Sequence, residues 1–126
     1  MRKIRSALIA AAMIGISAGP AGAQTSASTA KGKIAFQSCA ACHSDKPGVA
    51  RLGPSLAGIF GKPSGQVSGF RYSPAMAKAK LTWDRKTLDA YIAKPKAVVP
   101  GTTMAYAGVA DPAKRQAIID YLESSK

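Results

Sequence analysis

Cys39-Ala40-Ala41-Cys42-His43 decides how the rest of this 126-residue chain is read. Two thiols three positions apart can each add across a vinyl group on one edge of a protoporphyrin, and an imidazole directly after the second lies close enough to ligate the iron. A zinc half-site, a thioredoxin-like dithiol or a plain disulfide would account for the cysteines, but each leaves the histidine to chance. These are the only cysteines in the chain, and His43 is its only histidine. Zinc would need four good ligands, and a dithiol oxidoreductase would be expected to show βαβ patterning around its Cys-x-x-Cys, which is not found here. The motif therefore points to one covalently bound haem c.

Upstream of the motif, Met1-Arg2-Lys3-Ile4-Arg5 is a basic start, Ala7 to Ile16 is a short apolar run, and Ala21-Gly22-Ala23 fits a small-x-small cleavage site. Residues 1–23 read as a secretory signal and imply export to the periplasm. The apolar run falls well short of the ~20 residues that span a bilayer, which disfavours a retained anchor. Cleavage after Ala23 leaves 103 residues, Gln24 to Lys126. A chain of ~100 residues has little core of its own, and a buried haem would add the missing apolar surface. Arg2, Lys3 and Arg5 leave with the signal, so fifteen basic and six acidic side chains remain, a net charge of +9. Export disfavours nucleic acid as the partner of that charge. The basic residues also occur in ones and twos, without the basic amphipathic helix of a lipid binder, so an acidic protein face fits best.

Gln24 to Ala30 is small and polar and reads as a disordered lead-in to a domain over residues 31–126. Helix signals follow at Lys31 to Ser38, capped by Ser28 or Thr29, with Gly32 and Phe36 on one face. A glycine inside a helix costs ~1 kcal/mol against alanine, which a closely crossing second helix would explain. From Ser44 to Gly69 glycine and proline remove any periodicity, and so long a loop needs something to wrap, which a haem supplies. Ser73-Pro74 opens a short helix to about Lys78, Asp84 caps another that ends before Pro95, and Asp111-Pro112 opens the last. No segment alternates as a strand should, so the fold class is all-α.

His43 can hold only one face of an iron, and with no second histidine a methionine is the natural candidate for the other axial ligand. Met1 and Met13 leave with the signal. Met76 sits in a short Ala-rich helix, where methionine commonly fills core, whereas Met104 lies in a loop between Pro100-Gly101 and Gly108 that can fold over a flat ligand. Met104 is the expected ligand.

Several further stretches, in register with the first, resemble the class I c-type cytochromes over about Lys31 to Leu122. Gly53-Pro54-Ser55-Leu56 resembles the loop whose proline carbonyl receives the hydrogen bond of the ligand imidazole. Gly69-Phe70-Arg71-Tyr72 and Leu81-Thr82-Trp83 resemble the segments whose Tyr72 and Trp83 hold a haem propionate. Tyr91 and Thr103 match positions near the methionine sulfur and a propionate. Pro95, Pro100, Gly101, Thr102 and Met104 follow the family's Pro and Gly-Thr-x-Met pattern, and Gly32, Phe36 and Tyr121 its crossing of first and last helices.

The resemblance implies a small cytochrome c fold, with N- and C-terminal helices crossing and short helices and long loops wrapped around one haem. It also implies a non-enzymatic, monomeric one-electron shuttle between a quinol–cytochrome c oxidoreductase and a terminal oxidase. Ser38 and Thr103 stand where basic docking faces of the family often carry lysine. Lys46, Arg51, Lys94 and Lys96 are the remaining candidates near the exposed haem edge. The narrower alternative is a cytochrome subunit dedicated to one exported dehydrogenase. An alternative of another class is a ligand-binding or peroxidatic haem protein in which Met104 is loose.

Overall fold

The computed structural model describes residues 21–125, with side chains from Ala27 onward. The expected signal's basic start and apolar run lie outside the described residues. The described chain is helical, with no strand and one isolated bridge between Pro63 and Thr82. Five helices follow in order: α1 Ala21–Ala40, α2 Pro74–Lys78, α3 Arg85–Ala93, α4 Pro95–Val98 and α5 Pro112–Ser124.

Each short helix begins at the cap its sequence announces. Ser73 Oγ accepts from Met76 N–H at 3.2 Å, Asp84 Oδ1 from Thr87 N–H at 2.8 Å and Asp111 Oδ1 from Ala113 N–H at 2.9 Å, filling donors that a helix start leaves open. Two boundaries differ from the expectation. Helix α1 starts at Ala21, so Gln24 to Ala30 is helical rather than an irregular lead-in. Ala23, Ala27 and Ala30 are strong helix formers, and Ser28 Oγ donates to Asp120 Oδ2 at 3.0 Å on α5 instead of capping α1. Pro95, expected only as a stop, also opens α4, because its fixed φ suits a first helical position.

The core is built on the crossing of α1 and α5. A Cβ on Gly32 would lie 2.7 Å from Tyr121 Cβ and collide with the Ala117 carbonyl, so only glycine lets the two backbones approach this closely. One turn on, the Phe36 and Tyr121 rings meet at 5.2 Å between centroids with a 48° tilt. Ile118, Ile119 and Leu122 are buried beside them, each side chain contributing about 1.5–3 kcal/mol of transfer free energy. Helix α3 is joined to α5 by polar ties. Arg115 Nε donates to Asp89 Oδ1 at 2.8 Å, and Arg85 reaches Asp120 at 2.5 Å as well as Glu123. The loops and the inner faces of these helices together enclose the site.

Candidate functional site

Between the loops and the helical core lies a cavity of about 540 Å³, within the 300–1,000 Å³ range typical of cofactor sites. Cys39, Cys42 and His43 line it together with Pro54, Tyr72, Trp83, Tyr91, Thr103 and Met104, so every residue expected to hold the cofactor faces one hollow. Most of the remaining wall is apolar: Leu56, Ile59, Met76, Leu88, Ile92, Ile118 and Leu122.

The Cys-x-x-Cys-His stretch sits where α1 unwinds. Cys42 and His43 both donate their backbone N–H to Cys39 O, at 3.1 and 2.9 Å, which turns the two thiols and the imidazole toward one region. The thiols are free rather than bonded to each other. Among the described residues no group of three His, Cys, Asp or Glu side chains is placed to hold a metal, which leaves the zinc reading without a ligand set.

His43 is fixed by two neighbours. Its Nδ1 lies 2.8 Å from Pro54 O, and since a carbonyl can only accept, Nδ1 carries the proton and Nε2 keeps the lone pair that a metal needs. Gly53 lies against the ring, where a Cβ would be 2.6 Å from Nδ1 and 2.9 Å from Nε2. Gly53 N–H donates to Cys42 O at 2.8 Å, which holds that approach.

The Met104 loop is built from α3 and α4. Val99 is buried, Thr102 N–H donates to Val99 O at 3.1 Å, and Val109 N–H returns to Ile92 O at 2.9 Å. Within it Thr102 Oγ1 accepts from Met104 N–H at 3.3 Å and lies 3.5 Å from Tyr91 Oη, while Tyr91 O–H reaches Met104 Sδ at 3.6 Å. Burial raises the Tyr91 pKa, so its hydroxyl stays a donor at neutral pH. Thr103 lines the cavity and is exposed, and Thr102 beside it makes the contacts to Tyr91 and Met104.

Tyr72 packs edge-on against Phe70 at 4.9 Å, and its Oη accepts from Val67 N–H at 3.2 Å. Trp83 meets Tyr91 at 5.0 Å between ring centroids with a 57° tilt, and is placed by Gly61 N–H donating to Trp83 O and Trp83 N–H to Lys62 O. Both aromatic residues line the largely apolar wall, and a hydroxyl and an indole N–H are the donor types that a propionate requires. The donor set thus fits a haem: two thiols, an imidazole with its Nε2 lone pair, a thioether and an apolar enclosure.

Lys46, Arg51, Lys94 and Lys96 are all exposed, as expected of docking residues, although Arg51 Nη1 also donates to Ala40 O at 3.0 Å and closes the end of α1. Leu52 (83% exposed) and Tyr106 also line the cavity without any local sequence signal, and Met76, expected to fill core, is buried and reaches the cavity as well. Tyr106 borders a second hollow with Lys94 and Lys96, beside the Met104 loop.

A cytochrome c family model matches residues 29–126. Cytochrome c2 iso-2 of Magnetospirillum fulvum is 49% identical over 90 residues, covering 71% of this chain and 94% of its own length. Cytochrome c2 of Blastochloris viridis is 40% identical over 124 residues, covering 98% and 93%. Among solved structures, cytochrome cH from Methylobacterium extorquens aligns with a TM-score of 0.73 at 40% identity, over 77% of this chain and 98% of that one. The helical fold, the Cys39-x-x-Cys42-His43 attachment motif and these matches agree: the chain belongs to the cytochrome c family and carries covalently bound haem c.

Proposed function

We propose that the chain is an exported one-electron carrier, with Cys39 and Cys42 attaching the haem and His43 and Met104 as its axial ligands. Bound haem supplies an iron that takes up and gives off a single electron. The protein's part is to hold both ligands in either state and keep water out, which limits rearrangement during transfer. The observation that carries this reading is the pair of ties behind the two ligands. Pro54 O fixes the His43 tautomer at 2.8 Å, and the Tyr91 hydroxyl steadies the Met104 sulfur at 3.6 Å. A sulfur held in this way fits a carrier better than an open-iron catalyst. Tyr72 and Trp83 are assigned to the propionates, with Thr103 at the exposed margin of the same wall.

Docking partners are proposed to be redox proteins with acidic faces, a quinol–cytochrome c oxidoreductase as donor and a terminal oxidase as acceptor. Charge distribution supports this. Asp84, Asp89, Asp111, Asp120 and Glu123 all lie in or cap α3 and α5, whereas Lys46 to Trp83 contains six basic residues and no acidic one. Among the described residues only Arg85 and Arg115 form ion pairs, so the other cations are uncompensated. Export rests on the sequence pattern of residues 1–23. Among the described residues no helix is long and apolar enough to cross a membrane. The direct test is a reversible redox titration of the holoprotein combined with turnover by quinol-oxidising membranes. A carrier gives a single one-electron wave, turns over, and reacts slowly with carbon monoxide and peroxide. Rapid reaction with either, without turnover, contradicts it.

A further inference from the structure

The segment that carries His43 is gripped from two sides. On one side, residues 42–46 run against 53–56. Gly53 N–H donates to Cys42 O and Leu56 N–H to Ser44 O, both at 2.8 Å, and Ser55 Oγ donates to Lys46 O at 2.7 Å. On the other side the end of α5 closes over the same segment. Tyr121 O–H donates to Asp45 Oδ2 at 2.6 Å, and Gly58 N–H donates to Ser125 O at 2.9 Å. Tyr121 has no freedom to follow a moving loop, because its ring lies on Phe36 and its backbone on Gly32. Packing against Phe36 and Gly32 needs only the ring, so the crossing of the helices does not explain the hydroxyl. Neither Tyr121 nor Asp45 lines the cavity. Asp45 is also the only acidic residue between Gln24 and Trp83.

We propose that Asp45 and Tyr121 are positioning residues for the haem's histidine side, a clasp by which the C-terminal helix places His43 and sets the negative charge felt there. The proposal rests on His43 being an iron ligand. A carboxylate two residues from the ligand favours the oxidised, more positive centre, and a hydroxyl proton donated to it offsets part of that charge.

The test is a double-mutant cycle on the holoprotein, reading midpoint potential at pH 7 beside thermal unfolding. Tyr121→Phe keeps the ring and removes the proton donor, and it is expected to lower the potential. Asp45→Asn removes the charge and is expected to raise it. In the Asp45→Asn background, Tyr121→Phe is expected to shift the potential no further, because the hydroxyl acts through the carboxylate. A purely structural tie would lower the unfolding temperature of each variant while all potentials stay at the wild-type value, and that result overturns the proposal. Additive shifts overturn it too. Should Tyr121→Phe not accumulate as holoprotein, Asp45→Asn alone decides, since a potential at or below wild type contradicts the clasp. Failure of the His43 assignment would show separately, as a wild-type absorption spectrum without the bands of a low-spin, six-coordinate haem.

Discussion

Gly53 is the position where one missing carbon matters most to the site. Any side chain there enters the space of the His43 ring, so Gly53→Ala is expected to tilt the imidazole off Pro54 O and cost about 1–3 kcal/mol. Thermal unfolding of the holoprotein measures the cost, and the Soret band reports the loosened ligand. An unchanged midpoint and spectrum would mean the ring is not confined in this way. Most residues at this scale could be read from the chain, because the chemistry allowed few choices. With one histidine and two cysteines three residues apart, the attachment points and the proposed histidine ligand had no competitors, whereas Met104 had one in Met76. Thr102 was harder to assign. It and Thr103 both precede Met104, and only the local backbone decides that Thr102 turns toward Tyr91. Arg51 was legible as an exposed cation but not as the group that closes α1, since a contact eleven residues away leaves no periodic trace.

The element that organises the fold is the crossing of α1 and α5, and its tolerance is set by Gly32. Gly32→Ala is expected to destabilise the holoprotein by about 2 kcal/mol despite alanine's better helix propensity, because the new Cβ meets Tyr121 and the Ala117 carbonyl. A stabilised variant would show that the helices can separate without loss. The α3–α5 ties predict an acid response. Asp89 is held below the usual carboxylate range chiefly by its hydrogen bond from Arg115, and Asp120 by that from Arg85. A depressed folded-state pKa gives stability that is present above the unfolded value of ~3.9 and is lost as pH falls through the lower folded value. The unfolding temperature should therefore drop from about pH 4 downward, with a smaller drop in Asp89→Asn. Identical pH profiles for the two proteins would contradict the tie. Caps at Ser73, Asp84 and Asp111 made the starts of α2, α3 and α5 legible, because a capping side chain and a following proline are local signals. The start of α1 was not legible, since a cleavage pattern and a helix-forming alanine stretch overlap there. Nor was α4, where Pro95 ends one helix and begins the next.

At the scale of the whole molecule, the uncompensated cations would make encounter with the proposed acidic partner a long-range event. Electron-transfer turnover is expected to slow as ionic strength rises and the Debye length shrinks from ~30 Å at 0.01 M to ~8 Å at 0.15 M. Charge reversal at Lys94 and Lys96 should flatten that dependence, and a rate indifferent to salt in the wild type would contradict steering. Composition made the net charge legible, but the gathering of the acidic residues on α3 and α5 needed the fold. All of this depends on a haem gripped by His43 on one face and Met104 on the other, while Met76 remains a wall residue of the same cavity. The most direct test is the sulfur-to-iron charge-transfer band of the oxidised protein, recorded for Met104→Leu and Met76→Leu. The band is expected to be lost in Met104→Leu and kept in Met76→Leu. Its survival in Met104→Leu, or its loss in Met76→Leu alone, would contradict the assignment.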